Sequence, residues 1–199
     1  MSREAIQKTL EELLRAPAEI KNKLPGALEE IGKYGVGKAL DENPDLMFRM
    51  LTQLRRADAA RVFRDLPGAA DRFSDLLWQG IGSRAGQSPA MKALLARAKR
   101  AIHVNMEASD SPFQCHFAVQ NGNIAGGSGL LHFKDEDFRF MGPTETLMGL
   151  VIGDLPLGLS NLQLQTAGHS GWMSRVGPIM REVARLLKGE DEGKTGSGI

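Results

Sequence analysis

Phe113-Gln114-Cys115-His116-Phe117-Ala118-Val119-Gln120-Asn121-Gly122-Asn123-Ile124 is the stretch on which the reading of the fold turns. Phe113, Cys115, Phe117 and Val119 alternate with Gln114, His116, Ala118 and Gln120, the period of a strand with one buried face. Asn121-Gly122 is the favoured pair for a two-residue type I′ turn, so the chain from Ile124 runs back beside that strand. Gly126, Gly127 and Gly129 weaken the return strand and invite a bulge or a close backbone approach. Upstream, Ile102, Val104, Met106 and Ala108 alternate with His103, Asn105 and Glu107. Downstream, residues 131–134 and 137–141 read as two short strands around the acidic turn Asp135-Glu136-Asp137.

The chain before this region reads as helices. Ser2 is placed to cap a first helix with Ile6, Leu10, Leu13 and Leu14 on one face, ended by Pro17. Residues 24–40 are broken by Gly26, Gly32, Gly35 and Gly37 and give only a weak helix signal. Asn43-Pro44 is a start signal for the stripe Leu46, Met47, Met50, Leu51 and Leu54. Asp58 caps a short segment carrying Val62, Phe63 and Leu66. Residues 69–81 place Phe73, Leu76, Leu77 and Ile81 on one face. Ser88-Pro89 opens a further helix, with Met91, Leu94, Leu95 and Ala98 inward. Strands in sequence with helices at both ends indicate an α+β layer rather than a parallel doubly wound sheet.

After the strands comes an apolar surplus between Gly142 and Leu187. Residues 144–152 are charged only by Glu145; Leu155, Leu157 and Leu159 follow, then a strand-like segment 162–166 and a helical pattern over 172–187. Such a surplus fits either an oligomer or partner interface or a cavity with an apolar lining. Met141, Met148, Met173 and Met180 fall in it, and the unbranched thioether adapts to irregular ligands as readily as to an ordinary core.

Composition narrows the function. The 199 residues suit one domain with an extension or two small ones, and 42% hydrophobic residues is a globular composition. Lys and Arg total 25 against 24 acids, so the whole-chain net charge argues nothing about partners, and no nucleic-acid partner is expected. Residues 1–100 carry 18 basic and 13 acidic side chains, against 7 and 11 in the remainder. That excess admits a transient membrane-surface or phosphate contact through Arg55, Arg56, Arg61, Arg64, Lys99 and Arg100, although plain solvation of the helix surface accounts for it more simply. Cys115 is the only cysteine, which excludes an internal disulfide. The N-terminus lacks the apolar core of a secretory signal, and no run of about 18 apolar residues is present. These features point to a reducing cytoplasm. Residues 189–199 read as a polar, Gly-rich disordered tail.

Three motifs approach enzyme signatures without meeting them. Gly32-Lys33-Tyr34-Gly35-Val36-Gly37-Lys38-Ala39 resembles a phosphate-binding loop, but Ala39 stands where the hydroxyl is needed and a helical segment precedes it. Gly168-His169-Ser170-Gly171-Trp172 sits between strand and helix as a nucleophile elbow does, but Trp172 is too large for the tight turn and no histidine follows Ser170. Ser170 is better explained as a helix cap. His103, His116 and His132 supply enough imidazoles for a zinc site, but strand spacing does not bring them together. Cys115 is in register with Phe113 and Phe117, as a small core residue would be.

From about Ser88 to Leu187 the order of elements resembles the sterol-carrier-protein type 2 domain family. The resemblance lies in the leading helix over 89–101, the hairpin around Asn121-Gly122, a strand near Phe138–Gly142 and the Gly-ended helix of Thr144–Ile152. The short apolar segment 155–159, the strand 162–168 and the closing helix to Leu187 complete it. Asn161 departs from the pattern, standing where a Gly commonly opens the last strand, and residues 1–85 have no counterpart. The resemblance implies a helical region over 1–85 and a lipid-binding domain over 86–188. In that domain a mixed, mostly antiparallel five-stranded sheet is covered by helices that enclose a hydrophobic tunnel. It implies binding of a sterol, fatty acyl or isoprenoid-type lipid, with no catalysis, cofactor or metal. Phe117, Phe140, Leu147, Val151, Leu155, Leu159, Trp172, Val176 and Met180 are the expected ligand contacts. The alternative is an accessory module that uses the apolar C-terminal surface for dimerisation or partner docking.

Overall fold

The computed structural model describes residues 8, 11–12, 19–66, 68–154, 164–169, 171 and 173–190. Ser2, Ile6, Leu10, Leu13, Leu14 and Pro17, on which the first expected helix rests, lie outside these residues, as do Ser170 and the tail 191–199.

Helix α1 (Ile20–Tyr34) buries Leu24, Leu28 and Ile31 along one face and turns into α2 (Val36–Glu42) at Gly35. The left-handed φ of 94° at Gly35 suits glycine at this corner, and its N–H closes on the Ile31 carbonyl at 2.9 Å. The weak signal over 24–40 is therefore two helices, and the near-match to a phosphate loop is the corner between them. Helix α3 (Leu46–Arg56) starts two residues later than the Asn43-Pro44 signal suggests. The Leu46 N–H bonds the Asn43 carbonyl at 3.0 Å, so Pro44 lies in a turn ahead of the helix. Helix α4 (Ala59–Asp65) is capped as expected, with the Asp58 carboxylate accepting from the Arg61 N–H. Then follow α5 (Ala69–Ala85) and α6 (Pro89–Ala96), the latter capped by Ser88 Oγ on the Met91 N–H at 3.1 Å.

The strands are β1 (Ile102–Ala108), β2 (Gln114–Gln120), β3 (Asn123–Ser128), β4 (Phe138–Gly142) and β5 (Gln165–Gly168). They form one sheet in the order β3-β2-β1-β4-β5, parallel only between β1 and β4. Asn121 and Gly122 take φ of 51° and 74°, the two positive values of the expected turn. Helix α7 (Thr144–Ile152) lies between β4 and β5, and α8 (Met173–Leu187) follows the sheet. The described residues thus form an α+β fold with eight helices and a mixed five-stranded sheet.

Helix α5 lies over β3 and β2, and α7 packs against β1 and β4. Helices α1 and α2 back α5, while α3 and α4 back α7. Register sets the inner face: Val104 opposes Phe117 on one side and Phe138 on the other, and Met106 opposes Cys115 and Phe140. One contiguous apolar core joins these residues to Leu24, Met50, Phe63, Phe73 and Trp78 of the N-terminal helices. Most of the described apolar surplus is spent here, since Thr144–Ile152 is buried apart from Glu145.

The expected strand over 131–134 is a turn. Its backbone is held by a side chain: Asn105, fully buried, accepts from the Leu131 N–H at 2.8 Å and donates to the Leu131 carbonyl at 3.1 Å. This straps residues 129–137 across the outer face of the sheet. The last strand lies slightly later than expected, at Gln165–Gly168, and residues 162–163 are outside the described set. No described helix is long and apolar enough to cross a membrane.

Candidate ligand site

The site lies where α6 hands the chain to β1, opposite the first half of α8. Helix α6 turns Met91 and Leu95 into the core and leaves Leu94 half-buried at its side. The link 97–101 then runs to Ile102. Across from it α8 buries Val176, Ile179 and Met180, at the spacing of one helical face. Pro178 lacks an N–H, so the Ser174 carbonyl loses the partner a regular helix would give it. Between the two walls is a cleft of about 530 Å³. Its apolar lining is Leu94, Ala98, Ile102, Pro178 and Ile179; its polar lining is Arg97, Lys99, Ser174 and Arg175.

A second lobe of about 530 Å³ shares Lys99 and Arg175 with the first and adds Arg100, His169 and Gly171. Among the described residues, no carboxylate lines either lobe. The His169 ring accepts the Gly171 N–H on Nδ1 at 3.1 Å, so the neutral imidazole carries its proton on Nε2 as a donor. The second lobe thus offers donors and positive charge on its side chains, and the first offers a greasy wall. Together they match a molecule with an apolar body and an anionic end.

Two other concavities carry charges of both signs. Beside α1, Lys21, Arg56 and Arg61 share a hollow with Asp58 and Asp65, and Lys21 Nζ reaches Asp65 at 2.8 Å. Between α5 and α8, Arg84 shares a small one with Glu182 and Glu190.

Ser174 Oγ donates to the Gly171 carbonyl at 2.8 Å. Burial pushes the Cys115 thiol up to about 12, against a slight opposite pull from the Trp78 indole, so it stays protonated at neutral pH. The histidines take separate partners: His103 Nδ1 lies 3.3 Å from Asp137, His116 Nδ1 lies 3.1 Å from the Gly129 carbonyl, and His132 Nδ1 accepts the Lys134 N–H. Among the described residues, no three metal-ligating side chains of His, Cys, Asp or Glu are grouped for a metal ion.

Of the residues expected at the ligand, Phe117, Phe140, Leu147, Val151, Val176 and Met180 are all buried in the layer between sheet and helices. Leu155, Leu159 and Trp172 lie outside the described residues. Val176 and Met180 flank Ile179, which lines the cleft, so they stand directly behind its wall. The sequence reading singled out Lys99 and Arg100 as headgroup contacts but missed Arg97, His169, Pro178 and Arg175. The basic run from Arg97 to Arg100 was a usable signal for the first of these. Nothing local signals Arg175.

No family model matches the chain, and no curated protein matches it. Among solved structures, it is similar to sterol carrier protein 2 from Yarrowia lipolytica in its apo form. There 15% of residues are identical, the match covers 58% of this chain and 91% of that one, and the TM-score is 0.40. It is also similar to the stereoselective inverting sec-alkylsulfatase Pisa1 from Pseudomonas sp., at 12% identity and a TM-score of 0.41. That match covers 90% of this chain but only 30% of the sulfatase. Both are distant likenesses in the path of the chain.

Proposed function

We propose that this chain is a non-catalytic lipid-binding protein that takes an amphipathic lipid into the cleft between α6 and α8. The apolar end lies on Leu94, Ala98, Ile102 and Ile179 and extends toward the layer behind Val176 and Met180. The observation that carries this reading is the pairing of an apolar lobe with a cationic lobe that, among the described residues, no carboxylate lines. Of the sterol, fatty acyl and isoprenoid classes, it favours ligands ending in a carboxylate or phosphate. A tunnel continuing inward, and transport of the ligand, belong to the same proposal. A lone buried cysteine fits a reducing, cytoplasmic setting.

The alternative of an accessory module needs an exposed apolar face. Titration of delipidated protein with a fluorescent fatty acid and with the alcohol of equal chain length tests the proposal. Saturable binding of the acid, with the alcohol weaker and less salt-sensitive, is expected. Binding of neither ligand refutes it.

A further inference from the structure

We infer that the anionic end of the ligand is a phosphoryl ester, a phosphate or diphosphate borne by an apolar alcohol, taken up without a bridging metal ion. The inference rests on the reading of the cleft as a lipid site and decides between the two headgroups that reading leaves open. Charge points to it first. Arg97, Lys99 and Arg100 stand where α6 gives way to β1, and they line the two lobes. Among the described residues none of the three pairs with a carboxylate, whereas Arg175 has a partner of its own and adds nothing to this excess. A carboxylate brings a single charge and leaves most of the excess unmatched; a phosphate ester brings about two near neutral pH. All three cations are exposed, so each contributes little alone, and the lobe discriminates by the number of charges it meets at once.

Donors reach the second lobe from two segments distant in sequence. Lys99 and Arg100 come from the link into β1, and His169 follows the end of β5. Because His169 Nδ1 accepts the Gly171 N–H, its Nε2–H is left to donate. A planar carboxylate is satisfied by one in-plane fork, whereas a tetrahedral phosphoryl group turns its oxygens in several directions and accepts from donors around it. The lobe is also as large as the apolar one, about 530 Å³, more room than a carboxyl group needs. A magnesium ion that bridges phosphate to a protein is held on the protein side by carboxylates. Among the described residues none lines either lobe, and no three metal-ligating side chains are grouped. The cationic side chains therefore meet the phosphoryl oxygens directly.

Calorimetric titration of the full chain with decyl phosphate, decanoate and decanol in metal-free buffer tests the inference. Decyl phosphate is expected to bind about tenfold more tightly than decanoate at low salt, with decanol weaker than either. K99E/R100E abolishes the preference for phosphate over carboxylate, and His169→Ala reduces it by about threefold through the loss of one donor. Decanol affinity stays constant in both variants, which reports an intact apolar lobe. Added magnesium does not strengthen binding of the phosphate. Equal affinities for decyl phosphate and decanoate, or phosphate binding that requires magnesium, overturn the phosphoryl assignment and leave the lipid reading standing. Binding of none of the three ligands removes the lipid site itself, and the assignment with it.

Discussion

Trp78 of α5 stacks on Phe117 of β2 with ring centroids 4.6 Å apart and planes inclined by 25°. The backbone of β3 lies against the same indole. A Cβ placed on Gly126 would stand 2.8 Å from Trp78 Cγ and 2.3 Å from the His116 carbonyl oxygen. The glycines that weaken β3 as a strand are thus what let a helix settle on it.

Gly126→Ala is expected to destabilise the protein by about 1–3 kcal/mol, because the obstructing atoms include strand backbone that has no room to yield. Trp78→Ala costs about 3–5 kcal/mol by opening a large hole in the core. Trp78→Phe costs far less, since an aromatic ring still fills most of the space and the indole N–H gives up at most its weak interaction with the Cys115 thiol. Urea denaturation of the three variants orders them.

Asn105→Ala is expected to release the loop it straps. Removal of the amide leaves the Leu131 N–H and carbonyl without partners at the sheet, at a cost of about 1–3 kcal/mol. Hydrogen exchange reads this directly: faster exchange over residues 129–137, with β2 and β3 unchanged, is the expected pattern. Uniform loss of protection across the sheet contradicts it.

Cys115 makes stability depend on pH in the alkaline range. Its thiol has an ordinary value of 9.0 and is pushed up to about 12 by burial. Above 9.0 the unfolded chain releases this proton while the folded chain keeps it, so the folded state binds more protons. Stability is therefore full below 9.0 and falls as pH rises toward 12, by up to about 1.4 kcal/mol per pH unit. Chemical denaturation between pH 8 and about 11 checks this slope, and Cys115→Ala flattens it. Thiol reagents leave the native protein unmodified at neutral pH.

The cleft is testable on its own. Ala98→Trp fills the apolar lobe from a half-buried position, so fatty-acid affinity falls while the unfolding midpoint barely moves. K99E/R100E weakens the acid by roughly tenfold at low salt and by less at high salt, because exposed charges are screened. The alcohol of equal length is indifferent to that pair. Equal loss for acid and alcohol removes the anionic end from the proposed ligand.

Local pattern made much of the fold legible. Alternation from Phe113 to Val119, the Asn121-Gly122 turn and the Ser88-Pro89 start all report backbone preferences set within a few residues, and each stands where it was read. The inward register of Phe117 and Phe140 follows from the same period of two. Residues 131–134 misled because their apolar and polar character suits a strand, yet their partner is the side chain of Asn105.

Residues close in sequence thus determined the hairpin, the caps and the α+β class, because turn chemistry and periodicity act over short distances. Tertiary structure alone decided the parallel pairing of β1 with β4, the burial of Asn105 on the polar face, and the meeting of Arg97, Lys99 and Arg100 with Arg175. Each of these joins segments far apart along the chain. Their energy comes from packing and shared partners, which no local pattern encodes. The apolar surplus after Gly142 shows the division well: its helices were readable, but only the packed layers show that α7 fills a core while α8 also walls a cleft.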